Sequence, residues 1–134
     1  LYRKPESLQE KFHTKLQNSE GLFQVESWLL HHGEKLQKRF QLSAYKLMNH
    51  LLKTTDIFKN NSKSEVIKNI TSNIHLISVD TDYFFTANEI KTAFQEVKNY
   101  KNNAFYHEIK SIHGHDAFLI EFEQLNNILK PIFN

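Results

Sequence analysis

The sequence predicts an α/β protein in which a helical segment over residues 1–70 precedes a strand–helix–strand–helix segment over 71–134. Three observations carry that reading. Apolar residues recur at helical spacing through the first half. A compact run rich in β-branched residues, Ile74-His75-Leu76-Ile77-Ser78-Val79, then changes the pattern to that of a buried parallel strand. A second β-like run, Ala104-Phe105-Tyr106-His107-Glu108-Ile109, follows after one helix's length of chain. Strands separated by a helix pair in parallel through a right-handed crossover.

Taken in order, Ser7-x-x-Glu10 has the form of a capping box, and Leu8, Phe12 and Leu16 recur every fourth residue after it. Leu22, Val25, Leu29, Leu36 and Phe40 mark a second helical stripe, with Gly33 as a break within it. Tyr45, Met48 and Leu52, flanked by Leu47 and Leu51, mark a third. Asn60-Asn61-Ser62-Lys63 is a polar connector, and Ser62-x-x-Glu65 caps a short helix through Val66, Ile67 and Ile70. After the first strand, Thr86-x-x-Glu89 opens a helix with Ile90, Ala93, Phe94 and Val97 on one side. The last helix is expected from about Asp116 through Leu119, Phe122, Leu125, Ile128, Leu129 and Ile132.

Composition narrows the function classes. A chain of 134 residues makes one ordinary domain, and 40% hydrophobic with 13% aromatic residues is enough for a packed core. The 17 basic and 15 acidic residues nearly balance, and the lysines are scattered, which argues against a nucleic-acid partner. Without cysteine there is no disulfide, no Cys-ligated zinc and no thiol nucleophile, and either redox compartment is compatible. No apolar run approaches the roughly 20 residues of a membrane span, and no signal peptide is visible. The chain opens on Leu1 rather than Met, and two parallel strands are too few for a stable sheet. Further strands are therefore expected from a preceding segment or from a second chain.

In an open α/β sheet, reactive residues gather beyond the carboxyl ends of the strands. Asp80 and Asp82 follow the first strand, and His115 follows the second in Gly114-His115-Asp116. An acid after one strand and a histidine after the next are the second and third members of a Ser…Asp…His triad in α/β-hydrolase order. The serine's own G-x-S-x-G motif does not occur in the chain. Asp116 suits the N-cap of the final helix and, beside His115, suits a substrate's cationic group. His113, His115 and Asp116 have the residue types of a metal site but no further matched ligands, so no metal is assigned. His31-His32 reads as solvated helix surface, Trp28 as packing, and the Phe-rich stripes as core or interface.

Four segments together resemble the homoserine O-acetyltransferases, a branch of the α/β-hydrolase fold. Gly114-His115-Asp116-Ala117-Phe118-Leu119 is similar to that family's His loop, and Asp80-Thr81-Asp82-Tyr83-Phe84-Phe85 to its acid loop. Phe23-Gln24-Val25-Glu26-Ser27-Trp28-Leu29 resembles its lid helix. Gly33 through Phe40, with Ser43-Ala44-Tyr45, resembles the Gly-x-Lys…Arg-Phe…Ser-Tyr element that follows; the opening Tyr2-Arg3 and Pro5-Glu6-Ser7 resemble the start of the lid. The chain departs at Gln41, where the family usually has aspartate, and at Thr86, where it usually has proline.

The resemblance implies a partial α/β-hydrolase fold: a helical lid over 1–70 and the C-terminal part of the core over 71–134. It implies Asp82 as triad acid, His115 as general base, Asp116 as ligand of the homoserine ammonium, and Arg39 and Tyr45 near the substrate. It further implies acetyl transfer from acetyl-CoA to homoserine through an acyl-serine, with no bound cofactor, in cytoplasmic methionine biosynthesis. A homodimer through the lid helices is expected, as is a serine in an N-terminal segment absent from this chain, without which the chain alone is inactive. Two rival readings are a serine esterase or other acyl-CoA transferase of the same fold, and a non-catalytic helical interaction module.

Overall fold

The computed structural model describes residues 3–17 and 21–133, which leaves Tyr2 outside the described residues. The chain divides into two compact units, one formed by Gln9–Asn61 and the other by Leu1–Leu8 with Ser62–Asn134. Six α-helices, two strands and one 3-10 segment are present among the described residues: α1 (Pro5–Phe12), α2 (Gln24–Arg39), α3 (Leu42–Thr54), α4 (Lys63–Asn69), β1 (Ile74–Val79), α5 (Ala87–Lys98), β2 (Ala104–Ile109), the 3-10 segment (Gly114–Leu119) and α6 (Phe122–Phe133).

In the unit that holds the sheet, β1 and β2 run parallel in the register Ile74↔Ala104 through Val79↔Ile109. That register puts Leu76, Ser78, Tyr106 and Glu108 on one face and Ile77, Val79, His107 and Ile109 on the other. Helix α5 covers the first face, with Phe94 against Tyr106 and Lys91 paired to Glu108 at 2.8 Å. On the second face, Val79, Ile109 and Ala117 are buried, and Ile77, Leu125 and Ile128 pack on them. Removing a fully buried side chain such as Ile109 from water is worth about 1.5–3 kcal/mol. Two helices of this unit, α4 and α5, begin as their sequences dictate. Ser62 and Glu65 form a reciprocal capping box, as do Thr86 and Glu89.

Four expectations are corrected. Pro5 takes the first helical position, for which its fixed φ is suited, so Ser7 lies inside α1 and caps nothing. The helix also ends before Leu16: His13 adopts φ 53°, and Leu16 pairs with Phe23 in an isolated antiparallel bridge. Gly33 does not break α2, which runs through it without a positive φ. Nor does the last helix start at Asp116. Gly114 at φ 61° turns the chain into the 3-10 segment, Ile120 leaves helical geometry, and α6 begins at Phe122.

In the Gln9–Asn61 unit, Trp28 packs on Phe12 with ring centroids 5.6 Å apart. Neither α2 nor α3 buries a residue, and Leu29, Leu36, Tyr45, Met48 and Leu52 are exposed. Among the described residues no helix is long and apolar enough to cross a membrane.

Candidate active site

Both loops that follow the carboxyl ends of the strands converge. After Val79 the chain turns tightly, with Asp82 N–H donating to the Val79 carbonyl at 3.2 Å. This tucks the Asp82 side chain back under its own loop, where the residue is 8% exposed. Its Oδ1 accepts the backbone N–H groups of Phe84 at 2.7 Å and Phe85 at 3.1 Å. Its Oδ2 lies 2.8 Å from Nδ1 of His115. Burial alone would raise the Asp82 carboxyl, but the hydrogen bonds from His115, Phe84 and Phe85 and the attraction of the His115 charge outweigh it and hold it below the usual carboxylate value.

An ionised carboxylate only accepts hydrogen bonds, so Nδ1 of His115 carries a ring proton, and in the neutral imidazole the lone pair then lies on Nε2. That is the tautomer a general base needs. Phe84, Phe85 and Phe118 surround the imidazole, with ring centroids 5.4, 5.7 and 5.9 Å away. A cavity of about 360 Å³ opens beside the pair, walled by Asp82, His115, Phe85 and Phe118 and by aliphatic residues that include Val79 and Leu125. A volume of this size admits a small ligand.

The neighbouring acid does different work. Asp80 accepts the Ser111 N–H at 3.0 Å and lies 3.7 Å from the Lys110 ammonium, which joins the ends of the two strands without touching His115. Asp116 sits in the 3-10 segment beside His115, where its Oδ2 accepts from Nε of Arg3 at 2.8 Å. Asp82, His115 and Asp116 thus share one unit. Arg39, the last residue of α2, and Tyr45 in α3 belong to the other. Arg39 lines a groove of about 380 Å³ with His32, Lys35 and Leu36. Tyr45 lines another of about 310 Å³ with Phe40 and Leu42. Among the described residues no group of three His, Cys, Asp or Glu side chains is arranged to hold a metal ion.

Sequence reasoning missed four residues that shape the His loop. Thr81 donates to the Ser111 carbonyl at 2.6 Å and accepts the Gly114 N–H at 3.1 Å. Arg3 reaches Asp116, and the buried Ser7 hydroxyl lies 2.8 Å from Nδ1 of His113. Thr81 has a local signal, a hydroxyl residue between two acids at a strand end. Arg3, Ser7 and His113 have none, because their partners lie over a hundred positions away in sequence.

No protein-family model matches the chain. The chain is 37% identical over 140 residues to a homoserine O-acetyltransferase of Methanococcus vannielii, an alignment covering 99% of this chain and 28% of that protein. A homoserine O-acetyltransferase of Methanobrevibacter ruminantium is 33% identical over 96% of this chain and 28% of its own length. One from Sulfurimonas autotrophica is 34% identical over 96% of this chain and 37% of its own length. The chain therefore spans between a quarter and two fifths of the length of these curated relatives.

Proposed function

We propose that this chain, a homologue of one part of the homoserine O-acetyltransferases, supplies the acid and base of an acyl-transfer site. The observation that carries the reading is the 2.8 Å contact between His115 and Asp82 beyond the carboxyl ends of two adjacent parallel strands. In this reading residues 1–70 form a helical lid and residues 71–134 the C-terminal part of an α/β-hydrolase core. A serine from outside these 134 residues, in a segment that also completes the sheet, is the nucleophile.

The chemistry follows from the tautomer. Nε2 of His115 removes the serine proton as the hydroxyl attacks the thioester carbonyl of acetyl-CoA, and Asp82 stabilises the imidazolium that forms. Backbone N–H groups near the serine stabilise the oxyanion, and the thiol leaves with the proton. The homoserine hydroxyl then attacks the acyl-serine, with His115 again as base, to give O-acetylhomoserine. Asp116 binds the substrate ammonium. Arg3, held beside it, suits the carboxylate of the same zwitterion, and Arg39 and Tyr45 approach the substrate from the lid.

Acetyl-CoA is consumed as a substrate, and no cofactor or metal is bound. The place of such an enzyme is the cytoplasm, in methionine biosynthesis. The exposed apolar residues of α2 and α3 support a homodimer through the lid helices, which light scattering of the purified protein would detect.

The test is product formation. The complete gene product carrying these residues, given acetyl-CoA and homoserine, is expected to yield O-acetylhomoserine. Free acetate at the same rate with or without homoserine would instead identify an esterase or thioesterase. Absence of thiol release in a protein that lacks a serine elbow would leave the helical interaction module.

A further inference from the structure

We propose that Ser7 is a positioning residue for His115, acting through His113 as a latch between α1 and the His loop. The proposal rests on the reading of His115 as base. Side chains from α1 and the residues just before it reach both flanks of that histidine. Ser7 meets His113, two positions before it, and Arg3 meets Asp116, one position after it, each at 2.8 Å. Ser7 is 1% exposed, and a hydroxyl buried that deeply is stable only with a partner, which the His113 ring supplies.

Between the two flanks stands Gly114 at φ 61°, a conformation glycine holds without steric restraint of its own. The path of the loop therefore depends on what grips its neighbours. From the strand side the grips are Thr81 on the Gly114 N–H and Asp82 on the His115 ring. From α1 they are Ser7 and Arg3.

Ser7 and His113 also have the residue types of a second Ser–His dyad. Burial excludes that role, because no acyl group can reach a hydroxyl that solvent does not reach. What the pair can do is fix His113, the residue that leads into the 3-10 turn, and through it the distance from His115 to Asp82. Loss of the Ser7 hydroxyl leaves the His113 ring without that bond and lets the loop relax. A misplacement of about 1 Å caused by a change away from the reacting atoms can lower turnover about 10²-fold.

The experiment compares Ser7→Ala, His113→Phe, the double variant and Ser7→Thr in the complete gene product. It reads kcat and KM for acetyl transfer, and the NMR signal of the His115 Nδ1 proton. The latch predicts that each of Ser7→Ala and His113→Phe lowers kcat by about 10- to 100-fold, with KM nearly unchanged. The double variant should lose no more than either single, Ser7→Thr should regain most of the rate, and the Nδ1 proton should exchange faster in the Ala and Phe variants.

Wild-type kcat in folded Ser7→Ala and His113→Phe overturns the proposal, as do losses that multiply in the double variant or an unchanged Nδ1 signal. Should Ser7→Ala fail to fold, His113→Phe, which keeps an aromatic ring, decides by the same readouts. A wild-type protein without acetyl transfer would overturn the functional reading instead, while the Nδ1 signal would still test the latch.

Discussion

Replacing Asp82 by asparagine changes one atom and tests the tautomer argument. Oδ1 of Asp82 is held by two backbone donors, Phe84 N–H at 2.7 Å and Phe85 N–H at 3.1 Å. The introduced amide must keep its oxygen there, because an NH2 group cannot accept those two bonds. Its nitrogen then faces Nδ1 of His115 at the 2.8 Å position and donates to it. The ring proton moves to Nε2, and the lone pair that serves as base disappears from the reacting side. The same defect in a serine triad lowers turnover about 10⁴-fold, equivalent to about 5 kcal/mol of barrier.

Folding should be little changed, since the turn keeps both backbone bonds. Asp82→Ala, by contrast, would remove the acceptor of both N–H groups together with the partner of His115, and should lower the melting temperature below that of Asp82→Asn. The assay is thiol release from acetyl-CoA in the presence of homoserine, by the complete gene product, alongside thermal melts. An Asp82→Asn rate within about tenfold of wild type would rule out Asp82 as the group that sets the His115 tautomer, because a wrong tautomer produces a far larger loss.

Four further outcomes are expected from the same structure. The Glu108 carboxyl, bonded by Lys110, Lys91 and Tyr106 against the opposing effect of burial, is lowered to about 2 from an ordinary 4.5. Its bonds therefore stabilise the fold above about pH 4.5 and are lost as the pH falls toward about 2. The gap in melting temperature between wild type and Glu108→Gln should close across that window. Gly114→Ala should destabilise by about 1–2 kcal/mol, because φ 61° is left-handed. Gly33→Ala should stabilise by about 1 kcal/mol, because an added Cβ inside α2 meets nothing within 4 Å; denaturant melts check both. Asp116→Asn should raise KM for homoserine by about tenfold while that for acetyl-CoA stays near wild type, in initial-rate measurements with each substrate varied, as expected when one charged contact is removed.

The strands and α5 were legible because their signals are local. The β-branched run at 74–79 and the Thr86–Glu89 pair each specify one structure within a few residues, and the fold uses both as written. Ser7 shows the opposite case. Its Ser-x-x-Glu spacing is the same signal, but Pro5 had already started the helix, and the hydroxyl is committed to His113 across the fold. The start of α6 was misplaced for a related reason. Apolar residues keep helical spacing from Leu119 to Ile132, and periodicity alone does not register the turn that Gly114 and Ile120 impose.

At the site, the distinction between Asp82 and Asp80 came from the resemblance; in the structure one contacts His115 and the other Ser111 and Lys110 at the strand ends. Arg39 and Tyr45 were placed by the resemblance alone; the structure puts each on the wall of a groove in the Gln9–Asn61 unit.

The most direct test of the acid–base assignment is the rate of thiol release from acetyl-CoA by the complete gene product and its His115→Ala variant, each with and without homoserine. Homoserine should accelerate release in the wild type, and the variant should lose the reaction by three or more orders of magnitude, on the order of the 10⁴-fold loss of a broken triad. Release at the wild-type rate from His115→Ala, or wild-type release indifferent to homoserine, would contradict the assignment.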